Sequence, residues 1–296
     1  MPTHPPICRF SPIHRMAGLV LAVLALWPLV GKADFTGCEA LFPGQVVPSQ
    51  QAQSTLDLCK TADDTPLFAV RFDTTRKIPV WTAHSLSPAQ MAKIQANRGK
   101  MNRPKFTPDP NIPGDQQAVD RSYVRSGFSR GHVVPANDMS WSLASYNATF
   151  HFSNVVPQKQ RFNAGSWLGA EDAFRAWVSE KNLTFWGFSG VYGTLEDVEV
   201  SAASSLGLAP NTPTIPKCFY KIIAAQQSDG QPYKVMALIF KWNNFSKRGR
   251  WTDAITTLAT VQTRTGIDFL QGLDIESDFD PDFWGATPPA TPADCP

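Results

Sequence analysis

The stretch from Ser129 to Arg175 constrains this chain more than any other. It opens with Ser129-Arg130-Gly131-His132 and continues into Val133-Val134-Pro135. It then gives Phe152-Ser153-Asn154-Val155-Val156-Pro157-Gln158, and after that Asn163, Trp167, Glu171 and Arg175. His132 to Pro135 and Thr149 to Val156 are β-branched or aromatic and read as two strands; Ser166 to Lys181 reads as a helix.

The helix carries its own signal. At about 100° per residue, Asn163, Trp167, Glu171, Phe174 and Val178 share one stripe, and Trp167, Phe174 and Val178 turn that stripe inward. A carboxylate there is costly unless it meets a partner or a metal. The plain alternative is an ion pair between Glu171 and Arg175 at i,i+4, which belongs on an exposed face. The inward position of Glu171 favours a functional role.

The rest of the chain reads as α+β with a largely antiparallel sheet, because strands and helices mix without regular βαβ alternation. Phe68 to Phe72 and Pro79 to Ser85 are strands joined by a turn at Thr74-Thr75-Arg76-Lys77. Ser87 to Asn97 is a short helix capped by Ser87, with Pro88 at its first position. Arg98 to Gln117 is a long surface loop. Leu183 to Tyr192, Cys218 to Ala225 and Tyr233 to Trp242 are strands. Thr252 to Arg264 is a helix ended by Gly266.

Residues 1–33 read as a secretory signal: Arg9, His14 and Arg15 precede an apolar run from Met16 to Val30, and Gly31-Lys32-Ala33 offers a cleavage site. The run is too short for a membrane span, so no anchor is expected after cleavage. Residues 34–285 form one domain, and 286–296 a Pro, Ala and Thr-rich tail held by Cys295. The full chain has 27 Lys and Arg against 25 Asp and Glu; loss of Arg9, Arg15 and Lys32 with the leader leaves a net charge of about −1. Global charge therefore gives no support for nucleic-acid binding, which must rest on a local basic surface. Cys38, Cys59, Cys218 and Cys295 remain after cleavage, an even count that fits two disulfides in an exported protein. Three pairings are open; Cys38–Cys59 with Cys218–Cys295 is favoured, closing a local N-terminal loop and pinning the tail to a strand.

These residue types suit cleavage of a phosphodiester. In-line attack by water needs a base, a cation for the leaving 3′ oxygen, and positive charge around the phosphorus. His132 can be the base. Asn163 can ligate Mg²⁺ or Mn²⁺ through its amide oxygen, and Glu171 can hold the metal's waters. Arg103, Arg130 and Arg175 can meet phosphate oxygens. Each has a plainer reading: a structural histidine, a Gly131 that relaxes a turn, and Asn154 and Asn163 as turn or cap residues. His84 and His151 read as strand histidines without a role. Lys241, Lys247, Arg248 and Arg250, flanked by Trp242 and Trp251, can hold a nucleic-acid backbone with stacking from the rings, or can be a solvated turn.

In order and spacing, the stretch resembles the DNA/RNA non-specific endonucleases of the ββα-metal (His-Me finger) superfamily. Their pattern is Asp-Arg-Gly-His, a strand, Ser-Asn-x-x-Pro-Gln, an Asn nine residues after the first Asn, then Trp, Glu and Arg on a helix. Phe68-Ala69-Val70, Pro79-Val80-Trp81, Arg103 with Phe106, and Gln262 to Phe269 extend the likeness to roughly Pro66 to Leu273. The resemblance implies a catalytic unit of two strands and a helix on a larger α+β scaffold. His132 is then the general base and Asn163 the main direct ligand of Mg²⁺. Glu171 holds metal waters, Arg103, Arg130 and Arg175 contact phosphate, and Asn154 orders the site. The implied substrates are DNA and RNA, cut with little sequence specificity in the periplasm or outside the cell. One departure is Ser129 where the pattern has Asp, which keeps open a protein that binds nucleic acid without efficient cleavage. An inhibitor protein is a conceivable partner without support in the residues, and the oligomeric state is unspecified.

Overall fold

The computed structural model describes residues 1–3, 35–49, 54–195, 211–244, 246–276 and 279–296. The expected signal segment lies outside them, apart from its first three residues. Residues Ala33–Pro296 cluster as one compact unit. Among the described residues no helix is long and apolar enough to cross a membrane.

The frame is a seven-stranded sheet with every neighbouring pair antiparallel, in the order β1-β2-β3-β6-β7-β8-β9. Its strands are β1 (Thr55–Ala62), β2 (Thr65–Asp73), β3 (Ile78–Leu86), β6 (Phe185–Thr194), β7 (Pro216–Ala225), β8 (Lys234–Lys241) and β9 (Ile255–Thr256). A separate two-stranded sheet pairs β4 (Ser129–His132) with β5 (Val155–Gln158). The helices are α1 (Pro88–Asn97), α2 (Leu143–Ala148), α3 (Gln160–Phe162), α4 (Leu168–Lys181), α5 (Leu258–Thr265) and α6 (Pro281–Trp284). The α+β, mainly antiparallel architecture expected from the sequence is therefore present.

Strand β7 shows why the sheet is built this way. Phe219 and Ile223 pack into the core formed with α4, against Trp167, Phe174 and Trp177. Cys218, Tyr220 and Ile222 pack into a second core on the other face, with Phe35, Phe42, Val261 and Phe269. The strand alternates with period two, yet both faces are covered, so it reads as a nearly continuous apolar run. Lys221 interrupts that run on the α4 face.

Several boundaries differ from the sequence reading. The two strands of the small sheet are Ser129–His132 and Val155–Gln158, not His132–Pro135 and Thr149–Val156. Val133 and Val134 leave the ladder: their backbone N–H groups donate to the backbone oxygen and the side-chain Oδ1 of Asn154, and their side chains are buried. β-branching there serves the core rather than pairing. Thr252–Arg264 is not one helix. Ile255 and Thr256 pair with Leu238 and Ala237, Thr257 caps α5 by accepting from the Thr260 N–H, and Gly266 ends it with φ 68° as expected. Strand β1 was not anticipated, because Lys60 occupies one of its buried positions and masks the alternation; its Nζ donates to the buried Asp109 at 2.9 Å.

The two disulfides are Cys38–Cys59 and Cys218–Cys295, the favoured pairing. The tail is held along its end as well: the Ala293 N–H donates to the Ile255 carbonyl, the Tyr192 hydroxyl donates to the Cys295 carbonyl, and Arg264 pairs with Asp294.

Candidate active site

β4 presents Arg130 and His132 at alternate positions on one face of a short strand, and β5 backs it with His132 opposite Val155. Gly131 lies between them because any Cβ there would fall 2.1 Å from the Gln158 Oε1. The His132 ring is clamped by Phe106 at 5.2 Å and Phe150 at 4.7 Å between centroids, and its buried Nε2 has no hydrogen-bond partner among the described residues. Burial first, and the nearby Arg103 second, lower its pKa to about 3. The imidazole is therefore neutral at physiological pH, and the same burial makes it a weaker base than a free imidazole.

Asn154 is fully buried. Its Oδ1 accepts from the Val134 N–H and its Nδ2 donates to the carbonyls of Val134 and Thr149. It fixes the chain that leaves His132 and so acts through position, with its amide saturated by backbone.

Asn163 begins a π-helical turn, Asn163–Trp167, that joins α3 to α4. Gly165 in this turn meets the Ser246 carbonyl, where a Cβ would approach to 2.4 Å; at Gly169, in the first turn of α4, a Cβ would lie 2.0 Å from the Arg248 carbonyl. The segment after β8 is thus pressed against the start of α4. The Asn163 amide makes no side-chain hydrogen bond among the described residues, whereas Glu171 is buried and faces Lys221, whose Nζ is 3.9 Å from its carboxylate. Lys221 also donates to the Ser189 hydroxyl at 3.1 Å and stands 3.7 Å from the Trp167 ring centroid. Burial raises the Glu171 pKa and lowers that of Lys221, each against the opposing pull of the other.

Arg103, Arg130, His132, Asn163 and Glu171 line one open cleft of about 290 Å³. Arg130 is steered by Asp120 at 2.8 Å and by the Tyr123 ring; Arg103 lies over Phe106 and Phe150. Arg175 is not among the lining residues. Its guanidinium binds Asp172 at i,i+3 and the distant Asp138 in place of an i,i+4 pair with Glu171. Asp138 is buried between Arg175 and His84, whose Nε2 is 3.1 Å away. Burial pushes the Asp138 carboxyl up, but Arg175 and His84 together hold it below the usual carboxylate range.

Three further residues gather beneath the cleft around Glu171: His84, read from the sequence as a strand histidine without a role, and Asp138 and Lys221, which sequence reasoning did not single out. The signal for Lys221 was present, since a lysine amid Phe219-Tyr220 and Ile222-Ile223-Ala224-Ala225 interrupts a doubly buried strand. Of the expected basic surface, Arg248 reaches the cleft edge, donating to the Ala164 carbonyl at 3.3 Å. Lys241 and Lys247 are exposed at the end of β8 and beyond it, and Arg250 is bonded to Asp253. Trp251 is not a free stacking platform: its ring packs edge-on to Trp177 at 5.5 Å. Ser129 donates to the Gln160 Oε1 at 2.6 Å.

A hard divalent cation fits the donors present. Asn163 brings an uncommitted amide oxygen and Glu171 a carboxylate into the same cleft, an all-oxygen set of the kind Mg²⁺ takes. Among the described residues no group of three or more His, Cys, Asp or Glu converges, so water would complete such a centre.

The model of the DNA/RNA non-specific endonuclease family matches residues 49–276. The mitochondrial nuclease EXOG of Homo sapiens is 28% identical over 215 residues, covering 71% of this chain and 57% of that protein. The Danio rerio EXOG is 34% identical over 158 residues, 53% of this chain and 45% of that protein. The nuclease of Nostoc sp. is 23% identical over 215 residues, 70% of this chain and 72% of that protein. The chain thus spans about half the length of the two EXOG relatives. Among solved structures, the EndoG/EndoGI complex matches with a TM-score of 0.60 at 20% identity, over 73% of this chain and 87% of that one, a likeness of fold.

Proposed function

This chain belongs to the DNA/RNA non-specific endonuclease family, and from that membership and the cleft geometry we propose that it hydrolyses phosphodiester bonds of DNA and RNA. The carrying observation is the neutral His132 imidazole, its Nε2 without a hydrogen-bond partner among the described residues, in one cleft with Arg103, Arg130, Asn163 and Glu171. His132 takes the proton from the attacking water as its oxygen bonds to phosphorus, and the bond from phosphorus to the 3′ oxygen breaks. Arg103 and Arg130 meet the non-bridging oxygens, where charge builds. The substrate's negative charge offsets the field of Arg103 on His132, the smaller of the two causes that weaken this base, burial being the larger. Asn163 and Glu171 would hold Mg²⁺ or Mn²⁺, directly and through water, and the bound ion would supply positive charge at the leaving oxygen. Arg175 acts one layer deeper, through Asp138 and Asp172, with no direct phosphate contact.

Export is part of the proposal: two disulfides support an oxidising destination, periplasmic or extracellular. The EndoG/EndoGI structure describes inhibition of that protein, and a protein inhibitor is a partner class to test here.

The test is digestion of plasmid DNA and of RNA by the mature protein with Mg²⁺, Mn²⁺ or EDTA, beside His132→Ala. The expected result is metal-dependent cleavage that falls by about 10²–10⁴-fold in the variant. Cleavage that persists in His132→Ala overturns the assignment of the base. Binding without cleavage, from folded protein with any metal, favours the binding-only reading that Ser129 keeps open.

A further inference from the structure

A second, larger groove of about 470 Å³ adjoins the cleft, and Asn137 and Tyr146 line both. Its outer wall comes from the end of α1 and the loop that follows, with Met91, Arg98 and Met101; its inner wall includes Arg175. Asn97 fixes this wall in place, its Nδ2 donating to the Ser140 carbonyl at 3.0 Å and to the Trp141 carbonyl at 3.3 Å. The volume is in the range that buries a small ligand.

The loop beside it is basic: Arg98 lines this groove and Arg103 lines the cleft. Arg98, Lys100, Arg103 and Lys105 follow one another along the loop with no acid among them, and all four are exposed. Among the described residues none of the four makes an ion pair, and Arg103 already lies in the catalytic cleft. The single carboxylate of the groove, Asp172, is bound by Arg175 and approached by Arg248 at 3.8 Å, so it does not cancel the rim. Apolar Met91 and Met101 and the Tyr146 ring offer a surface against which a base can lie, below cations that can follow a phosphate chain.

The geometry points to a nucleotide subsite: the groove seats the nucleotide of a single strand next to the scissile phosphate. Its backbone lies on Arg98 and Lys100, and its base lies against Met101 and Tyr146. This rests on the nucleic-acid reading of the adjoining cleft and extends it, because it makes the enzyme grip the strand on the α1 side rather than the phosphate alone.

The experiment is anisotropy of a fluorescein-labelled single-stranded DNA of about twelve nucleotides, in EDTA and at several salt concentrations. Arg98→Ala and Lys100→Ala are each expected to weaken binding about five-fold near 0.1 M salt and to lower the salt slope by roughly 0.7. Met101→Ala is expected to weaken binding with the slope unchanged. Lys181→Ala, at the far end of α4, is the control for charge alone and should match the wild type. Unchanged slopes in the two rim variants, an equal loss in Lys181→Ala, or no binding by the wild type overturns the subsite. Cleavage with Mg²⁺ is then scored separately: a wild type that binds through the groove but never cuts removes the hydrolytic reading and leaves the subsite standing.

Discussion

Lys221 lies 3.9 Å from Glu171 and covers the Trp167 ring, from the middle of a strand otherwise given to the core. Nothing in the local sequence of either element specifies this meeting. It arises because β7 and α4 pack face to face, and it leaves the one buried carboxylate of the cleft with one buried cation.

Removing that cation should expose the cost of the carboxylate. Lys221→Met takes the facing cation from the buried Glu171 and leaves it only the field of Arg175, with an expected loss of about 3 kcal/mol. For a domain of this size that is roughly 6–12 °C in thermal midpoint. Adding Glu171→Gln should recover much of the stability while leaving the protein inactive. A Lys221→Met protein that melts with the wild type would remove the pair from the stability argument.

Asp138 predicts the acid limb of stability. Its folded pKa lies below the ordinary carboxylate value, so its contribution is complete above the unfolded pKa of about 3.9 and is lost as pH falls through the folded value. Asp138→Asn should lower the melting temperature at neutral pH, because it strands Arg175 and His84. The variant should also lose less on further acidification, keeping the share that Asp109 contributes in the same direction. Melting curves recorded from pH 6 down to strong acid decide the matter, and parallel curves for variant and wild type would contradict it.

Gly169 should tolerate no side chain. A Cβ there would meet the backbone of Arg248, with its carbonyl oxygen at 2.0 Å and carbonyl carbon at 2.8 Å, and a flexible side chain is not available to yield. Gly169→Ala should cost about 1–3 kcal/mol although alanine is the better helix former. A stabilised variant in thermal melts would show that the segment after β8 moves freely.

The two disulfides should differ in worth. Cys38–Cys59 closes 21 residues and Cys218–Cys295 closes 77. On loop entropy, replacing the first pair by Ser costs about 3 kcal/mol and the second about 4.5 kcal/mol. Denaturant midpoints of the two double variants test the order; a larger loss from the shorter loop would mean that strain or residual structure outweighs loop length.

What the sequence disclosed followed from periodicity and local chemistry. The inward stripe of Trp167, Glu171, Phe174 and Val178 was visible because a helix repeats every 3.6 residues, and all four are buried. The Ser87 cap and the Gly266 stop were visible because each is chemistry within a few residues. The partners of Arg175 were only partly legible for the complementary reason. Asp172 is close along the helix at i−3, but Asp138, 37 positions away, arrives by tertiary packing and shares the guanidinium. The contact of His84 with Asp138 was illegible for the same cause. The valines after His132 misled because β-branching marks buried packing as well as pairing, and only the fold separates the two.

The π-helical turn at Asn163–Trp167 has a consequence for anyone redesigning this protein. A turn that carries one residue more than the α-helix allows rotates Asn163 relative to everything that follows it. Whether the amide oxygen and the Glu171 carboxylate share a cleft is therefore decided by an irregularity, held shut by two glycines against a neighbouring backbone. Substitutions chosen to make this segment a better helix would straighten it and carry the amide around the axis. The most stable version of the segment and the working one are then different sequences.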